Sequence, residues 1–563
     1  MVRREAGAWG AALCATFALL LGLAPAAAAT EMAVQPDGKI LLAGSTRLYS
    51  GYVARLLPSG EPDRSFGVEG VVFDHWAGRV VDLELQPDGG ILALTERGTI
   101  ARYRSDGGLD LSFGTGGHSG APPIDHEPKL LLLPDGRIVV GGTGVVKFFN
   151  EALVAVLSPD GRSREWISGA GEGTWLHGLL LRDDGSLVVA LPGRRSVLLA
   201  RFVPGVGDYG TGFGHVLSVP DARPGYDKSY GGGAGLVRFR LPGEPPPRFE
   251  IGALAANGDG TVAVGASEGR LIAVGFSAGG LLDKSFGGDG FARFGAGSSQ
   301  AVHDAATVGG RILVAGDLGR RSVLKRCRSC TTPLLARFLA VGRPDLSFGH
   351  RGISRLPRFD GQQQSAHGDA VASLPDGKII LAGGVGDSTE KSVLGRFHPD
   401  GTPDRRFGSR GVARFNPCGG SERRQRRVGC LPSARAELGL RPTPGGAALR
   451  FEVESASKWA NIGAFAVHLP RSVEVREEKV SRAKFSFRGP DGEPRRARAE
   501  LRGRSLVFAH FLGVGTDGMA LDVPRGVLRW GPQGVPRAFR VTVEFRVDDL
   551  DGGEQTLVAR RPG

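Results

Sequence analysis

The feature that most constrains this chain is a repeat. The stretch Met32-Ala-Val-Gln-Pro-Asp-Gly-Lys-Ile-Leu-Leu-Ala-Gly44 returns at Leu83–Leu94, Leu130–Gly142 and Val371–Gly383, with weaker copies beginning near Leu179, Ala253 and Ala305. The turn positions Asp37, Asp88, Asp135, Asp184, Asp259, Gly309 and Asp376 mark seven units, most of them 47 to 51 residues apart and two longer. Periods of this size belong to folds whose units cannot bury their apolar faces alone and must stack on neighbours.

Each unit has the same parts. An apolar strand runs into Pro-Asp-Gly, where Gly takes positive φ without strain and Asp caps the turn, so a hairpin and a second strand follow. A third strand is centred on Ala54-Arg55-Leu56, Ala101-Arg102-Tyr103, Ala200-Arg201-Phe202, Ala336-Arg337-Phe338 and Gly395-Arg396-Phe397. Next comes an Asp-x-Ser-Phe-Gly-like signal at Asp63–Gly67, Asp110–Gly114, Asp283–Gly287, Asp345–Gly349 and Asp404–Gly408, and then a short fourth strand such as Gly70–Phe73 or Gly411–Phe415. Unit 3 lacks the Ser-Phe-Gly signal near Trp166, and unit 6 replaces Asp-Gly by Gly309-Gly310. Four antiparallel strands per unit make a propeller blade. The hairpin turns argue against the alternative, an open β-solenoid. The expected architecture is all-β: a seven-bladed β-propeller over residues 30–415.

The paired Pro-Asp-Gly and Ser-Phe-Gly signals resemble those of the delta-60 repeat family of bacterial propeller-like repeats, over about Glu31 to Phe415. The resemblance implies a propeller and carries no single activity with it. Arginine and aspartate recur eight residues apart, as Arg55/Asp63, Arg102/Asp110, Arg337/Asp345 and Arg396/Asp404. A catalytic group is needed once and not per blade, so these read as a blade-internal ion pair or turn clamp.

Residues 1–29 read as a secretory signal: Arg3 and Arg4, the apolar run Ala11–Leu23, then Ala27-Ala28-Ala29 before Thr30. The run is too short for a comfortable membrane span, and no later segment of that length appears. A soluble, secreted, monomeric product is therefore expected. Export leaves Cys327, Cys330, Cys418 and Cys430. An even count in an oxidising compartment reads first as disulfides, with Cys327–Cys330 and Cys418–Cys430 the local pairing. The eleven-residue gap between Cys418 and Cys430 does not suit a zinc ribbon.

After Phe415 the repeat stops. Residues 416–432 form a basic linker with Arg423, Arg424, Arg426 and Arg427. Residues 433–563 show period-2 patterning at Ala448–Glu454, Ala464–Leu469, Ala483–Phe487, Leu506–Phe511 and Phe539–Val547, which reads as an immunoglobulin-like β-sandwich. The formal charge of +13 is spread along the chain, as arginine-rich coding would leave it, and no nucleic-acid recognition motif accompanies it.

With strand one innermost, the residues just before it gather at one mouth of the central channel. They are Glu31, Asp82, Lys129, His177, His303, Asp304 and Asp369, the candidate ligand-binding set. Two insertions, Pro220–Phe249 and Leu318–Pro333, are expected on the same face. Gly205-Val-Gly-Asp-Tyr-Gly210 fits a dinucleotide pattern without the helix that pattern needs, and Gly265-Ala-Ser-Glu-Gly269 fits a nucleophile elbow but lies in a hairpin region. No metal, cofactor or catalytic motif is expected. The chain reads as a non-catalytic binding or scaffold protein whose partner is a cell-wall glycan or another envelope protein. The alternative is a polysaccharide hydrolase using Asp82, Asp304 and Asp369 as acid and base.

Overall fold

The computed structural model describes residues 31–419 apart from 46–50, 75–78, 120–123, 125, 147–148, 173–174, 193–195, 204–226, 228, 233–235, 243–248, 296–299, 321–329, 358–365 and 386–390, and the strands and adjoining turns between 434 and 560. The signal segment 1–29, the linker from 420 to 432 and the Gly205–Gly210 motif lie outside them.

Seven antiparallel sheets follow one another along the chain, and in each the strands keep their sequence order. Blade 1 comprises Glu31–Val34, Ile40–Ser45, Gly51–Leu56 and Val71–Asp74. Blade 7 comprises Ala370–Ser373, Ile379–Gly384, Ser392–Phe397 and Val412–Phe415. Each blade is thus built from its own continuous segment, and among the described residues no terminal strand crosses the seam. Among the described residues blade 2 shows three of the expected four strands. It pairs Val80–Leu85, Ile91–Thr95 and Ile100–Tyr103, and its outer edge is reduced to a bridge between Ala101 and His118.

The hairpins form as the turn chemistry dictates. In blade 1, Gly38 takes φ +80°, its N–H donates to the Gln35 carbonyl at 2.8 Å, and the Asp37 carboxylate accepts the Lys39 N–H at 3.1 Å. The elbow-like Gly265–Gly269 string is a hairpin, with Glu268 and Gly269 at positive φ between two paired strands, and Ser267 is a buried strand residue.

The core is divided among the seven joints between blades. Alternate residues of a strand face opposite neighbours. Leu41, Ala43 and Val53 pack with Phe66 against blade 2, whereas Ile40, Leu42, Ala54 and Leu56 pack against Leu374, Ile380, Phe407 and Phe415 of blade 7. Both faces are buried, which is why the second strands are unbroken apolar runs rather than alternating ones.

A polar strap reinforces these joints. In blade 7 the Arg396 guanidinium pairs with Asp404 at 2.9 Å, lies 4.8 Å from the Phe407 ring centroid and donates to the Pro58 carbonyl of blade 1 at 2.5 Å. Phe407 is fully buried against Gly60 of blade 1, where a Cβ would come within 2.9 Å of the ring, and the Gly408 N–H donates to the Ser59 carbonyl at 3.1 Å. The expected Arg–Asp pairs are all made: Arg55–Asp63 at 2.9 Å, Arg102–Asp110 at 2.5 Å and Arg337–Asp345 at 2.8 Å are the others. Arg102 stays within its blade, but Arg55 and Arg337, like Arg396, also donate to backbone carbonyls of the next blade, Ser105 and Pro399.

The glycine-to-carbonyl bond recurs as Gly67 to Asp106, Gly114 to Asp160, Gly231 to Gly279, Gly287 to Val341 and Gly349 to Asp400. Blade 4 supplies a copy that the sequence reading assigned to an insertion. Asp227, Ser229, Tyr230 and Gly231 are its Asp-x-Ser-Phe-Gly, with Arg201 paired to Asp227 and 5.0 Å from the Tyr230 centroid. The predicted insertion Pro220–Phe249 therefore holds blade 4's own strap and its fourth strand, Leu236–Phe239. The extra residues of this unit fall after Phe202, at the end of the blade opposite the channel mouth, and 204–226 lie outside the described residues.

Between Ala434 and Arg560 the chain forms two five-stranded antiparallel sheets, a two-stranded ribbon and a one-turn helix, Glu477–Val480. The described parts of the patterned segments lie on strands, at Gly446–Ser455, Asn461–His468, Phe485–Arg488, Ser505–Gly513 and Thr542–Asp548, while Leu469, Ala483, Lys484 and 539–541 lie outside the described residues.

Candidate functional site

The first strands of all seven blades surround one cavity of about 450 Å³. Four of the candidate residues share one ladder position: Glu31 opposite Ala43, Asp82 opposite Leu94, Lys129 opposite Gly141 and Asp304 opposite Ala315. All four line the cavity, as do His177 and His303. Asp369 is buried just behind it, its carboxylate accepting the Gly384 N–H at 3.0 Å. A residue not anticipated, Glu84, joins them. It stands two residues after Asp82 and so on the same strand face, a signal available in the sequence.

The aspartates are tethered. Asp82 accepts the Leu83 N–H at 2.8 Å and, from blade 3, the Leu130 N–H at 2.7 Å. Asp304 repeats this with Ala305 at 2.7 Å and, from blade 7, Val371 at 2.8 Å. Each carboxylate staples its strand to the inner strand of the next blade, at a point where the ladder register shifts. Lys129 lies 3.6 Å from Glu31.

Crowding acids into a half-buried ring raises their pKa values. Burial pushes Glu31 up to about 8, with the charges of Asp82, Asp304 and Asp369 adding to burial and Lys129 opposing it. Burial likewise lifts Asp82 to about 6, against Lys129, and Glu84 to about 7. Asp304 is raised by burial too. Protonated carboxyls both donate and accept hydrogen bonds, so near neutral pH the cavity suits neutral polyhydroxyl or cationic groups and disfavours anions. The mouth is locally acidic although the chain carries a formal +13.

Next to the cavity, two further residues that sequence reasoning passed over complete a cluster. Asp317, at the mouth end of the second strand of blade 6, accepts from His303 Nε2 at 3.0 Å and His367 Nδ1 at 2.7 Å, both on Oδ2. Its Oδ1 accepts the Gly368 N–H at 3.0 Å. Burial alone would raise the Asp317 pKa, but the two imidazoles hold it down at about 2. A charged residue at the end of the apolar run Ile312–Ala315 was the available signal.

Two residues before the cavity-lining His177, Trp175 is 38% exposed and its ring lies 5.7 Å from that of His126. Of the four cysteines, Cys327 and Cys430 lie outside the described residues, Cys330 opens the third strand of blade 6, and Cys418 packs against the seam between blades 7 and 1. Among the described residues no helix is long and apolar enough to cross a membrane.

A family model described as a domain of unknown function (DUF5122) beta-propeller matches residues 35–66 and 374–407, which are the hairpin-to-strap portions of blades 1 and 7. No curated protein matches the chain. Among solved structures, a catalytically inactive variant of virginiamycin B lyase from Staphylococcus aureus with quinupristin is 11% identical, covering 65% of this chain and 94% of that one at a TM-score of 0.36. BamB from Moraxella catarrhalis is 12% identical, covering 65% and 80% at 0.33. The computationally designed Ika8 protein is 13% identical, covering 75% and 93% at 0.35. The repeat match and the blade topology agree that the chain carries a seven-bladed β-propeller built from propeller repeats.

Proposed function

We infer that this is a secreted, non-catalytic binding protein whose propeller presents its channel mouth to a neutral glycan of the extracellular space or cell envelope. The observation that carries this reading is the convergence of polar side chains from separate blades on one cavity, with the exposed Trp175 two residues before the cavity-lining His177. An exposed indole stacks on the apolar face of a sugar ring, and carboxyls with raised pKa values can both give and take hydrogen bonds with hydroxyls. The delta-60 resemblance, export through residues 1–29 and the Cys327–Cys330 and Cys418–Cys430 pairings belong to the same proposal. So does an immunoglobulin-like sandwich over residues 433–563 acting as spacer, for which the two five-stranded sheets are the support.

The hydrolase reading is the weaker one. Asp82 and Asp304 already hold two backbone N–H groups each, which fits staples better than proton shuttles.

A glycan screen on the secreted protein tests the proposal. Binding should fall at least about tenfold in Trp175→Ala and in Lys129→Ala, with melting temperature retained. Binding that survives both changes would remove the mouth as the site. Release of reducing ends, lost in Asp304→Asn, would replace binding by hydrolysis.

A further inference from the structure

Beyond the ligand at the mouth, we propose that His303, Asp317 and His367 form a binding site for a divalent transition-metal ion of the zinc class. The three ligand atoms, two imidazole nitrogens and one carboxylate oxygen, all lie within 4.8 Å of one another. They come from three separate places: the first strand of blade 6, its second strand, and the segment entering blade 7. Two histidines and one carboxylate are a donor set suited to borderline divalent ions, and three protein ligands leave one position open.

The burial is graded as such a site needs, with side-chain exposure of 8% for Asp317, 18% for His367 and 31% for His303. The second carboxylate oxygen is occupied by the Gly368 N–H, which fixes the carboxylate and leaves Oδ2 to the two imidazoles. His303 also lines the channel cavity, so an exchangeable fourth ligand would arrive from there.

The present contacts of 2.7 and 3.0 Å are hydrogen bonds. Ligands about 2.0–2.1 Å from a tetrahedral ion stand about 3.3 Å apart. Loading therefore needs the two imidazole–carboxylate contacts to open by a few tenths of an ångström and the two imidazole nitrogens, within 4.8 Å of each other, to settle at that spacing, together with loss of the imidazole protons that now point at Asp317. A hydrogen-bonded clamp with no metal is the competing description, and the two make different predictions.

The test uses the full mature chain, stripped with chelator and titrated with Zn²⁺ by calorimetry and with Co²⁺ by visible absorption. The expected result is one ion per chain, a higher melting temperature on loading, and binding weakened at least about tenfold in H303Q, H367Q and D317N. Glutamine and asparagine keep hydrogen-bonding capacity while ligating poorly. Wild-type protein that binds neither ion, or variants that bind like wild type, would overturn the proposal. Should a variant fail to fold, the wild-type Co²⁺ spectrum decides. Nitrogen–oxygen d–d bands support the site, and thiolate charge-transfer bands would place the ion on the cysteines and sink it.

Discussion

Two joints of the same ring differ in how they are held. The seam between blades 7 and 1 joins residues more than three hundred positions apart, yet it carries the full strap: Arg396 to Pro58, Gly408 to Ser59 and Phe407 against Gly60. Tyr52 and Ser392 add a hydroxyl contact across it at 3.2 Å. The joint between blades 3 and 4 links neighbours in sequence. Among the described residues it has an apolar cluster around Val154, Val189 and Phe202, plus one bond from the Leu176 N–H to Thr143 Oγ1 at 2.9 Å, but no strap. Blade 3 lacks both the arginine and the Ser-Phe-Gly signal that would make one. The difference teaches that the strap matters most where the backbone does not already tether the partners.

The largest expected effect follows directly. Arg396→Ala removes one partner of a buried ion pair and leaves Asp404 with the Arg406 N–H and the more distant Lys378 ammonium, at 3.7 Å. Unfolding should then cost about 3 kcal/mol less, read by urea titration. A loss under about 1 kcal/mol would mean that apolar packing alone closes the ring. Gly60→Val should cost about 2 kcal/mol or more, because its side chain would overlap Phe407 and Ala413 at a φ of +90°. Gly185→Ala, at φ +77° with nothing within 4 Å, should cost only about 1 kcal/mol of backbone strain. Equal losses at the two glycines would show that the seam is not tightly packed there.

Smaller effects refine the comparison. Tyr230→Phe restores the repeat's usual residue and removes a buried hydroxyl that has no partner among the described residues, so stability should rise by about 1 kcal/mol. The mouth should respond to pH in the opposite sense to the straps. Glu31 titrates near 8 in the fold against an ordinary 4.5, so its contribution is present at acid pH and lost as pH rises through that window. Glu31→Gln should therefore raise the melting temperature by about 2 °C at pH 9 and leave it unchanged at about pH 4. In the straps, burial would raise Asp404 but the Arg406 N–H and the Arg396 charge outweigh it and hold it low, so strap stability falls as pH drops below the ordinary aspartate value of 3.8.

Much of this was legible because it is written more than once. The spacing of Arg55 and Asp63, repeated in other units, pointed to the pairs, and a shared offset from the hairpin turn brought Glu31, Asp82 and Lys129 to one cavity. What escaped was either disguised or long-range. Tyr230 hid a blade-4 strap behind a tyrosine and a longer spacing from Arg201. The reach of Arg396 to Pro58 has no sequence signature, since it depends on the ring closing. Asp317 and His367 occur once each, and a single copy gives a repeat comparison nothing to compare.

The strap has a direction: each aromatic packs on the turn glycine of the blade after it, and Arg55, Arg201, Arg337 and Arg396 reach the same way. Head-to-tail contacts of this kind either close on themselves or propagate from one molecule to the next. Blade 7 closes the series by filling the Gly60 turn of blade 1. A chain cut before Leu374 would leave that turn empty and the Arg337 and Phe348 end of blade 6 without its neighbour. These two unfilled surfaces would complement each other on different copies, and such a fragment should grow into filaments or aggregates where the full ring stays closed.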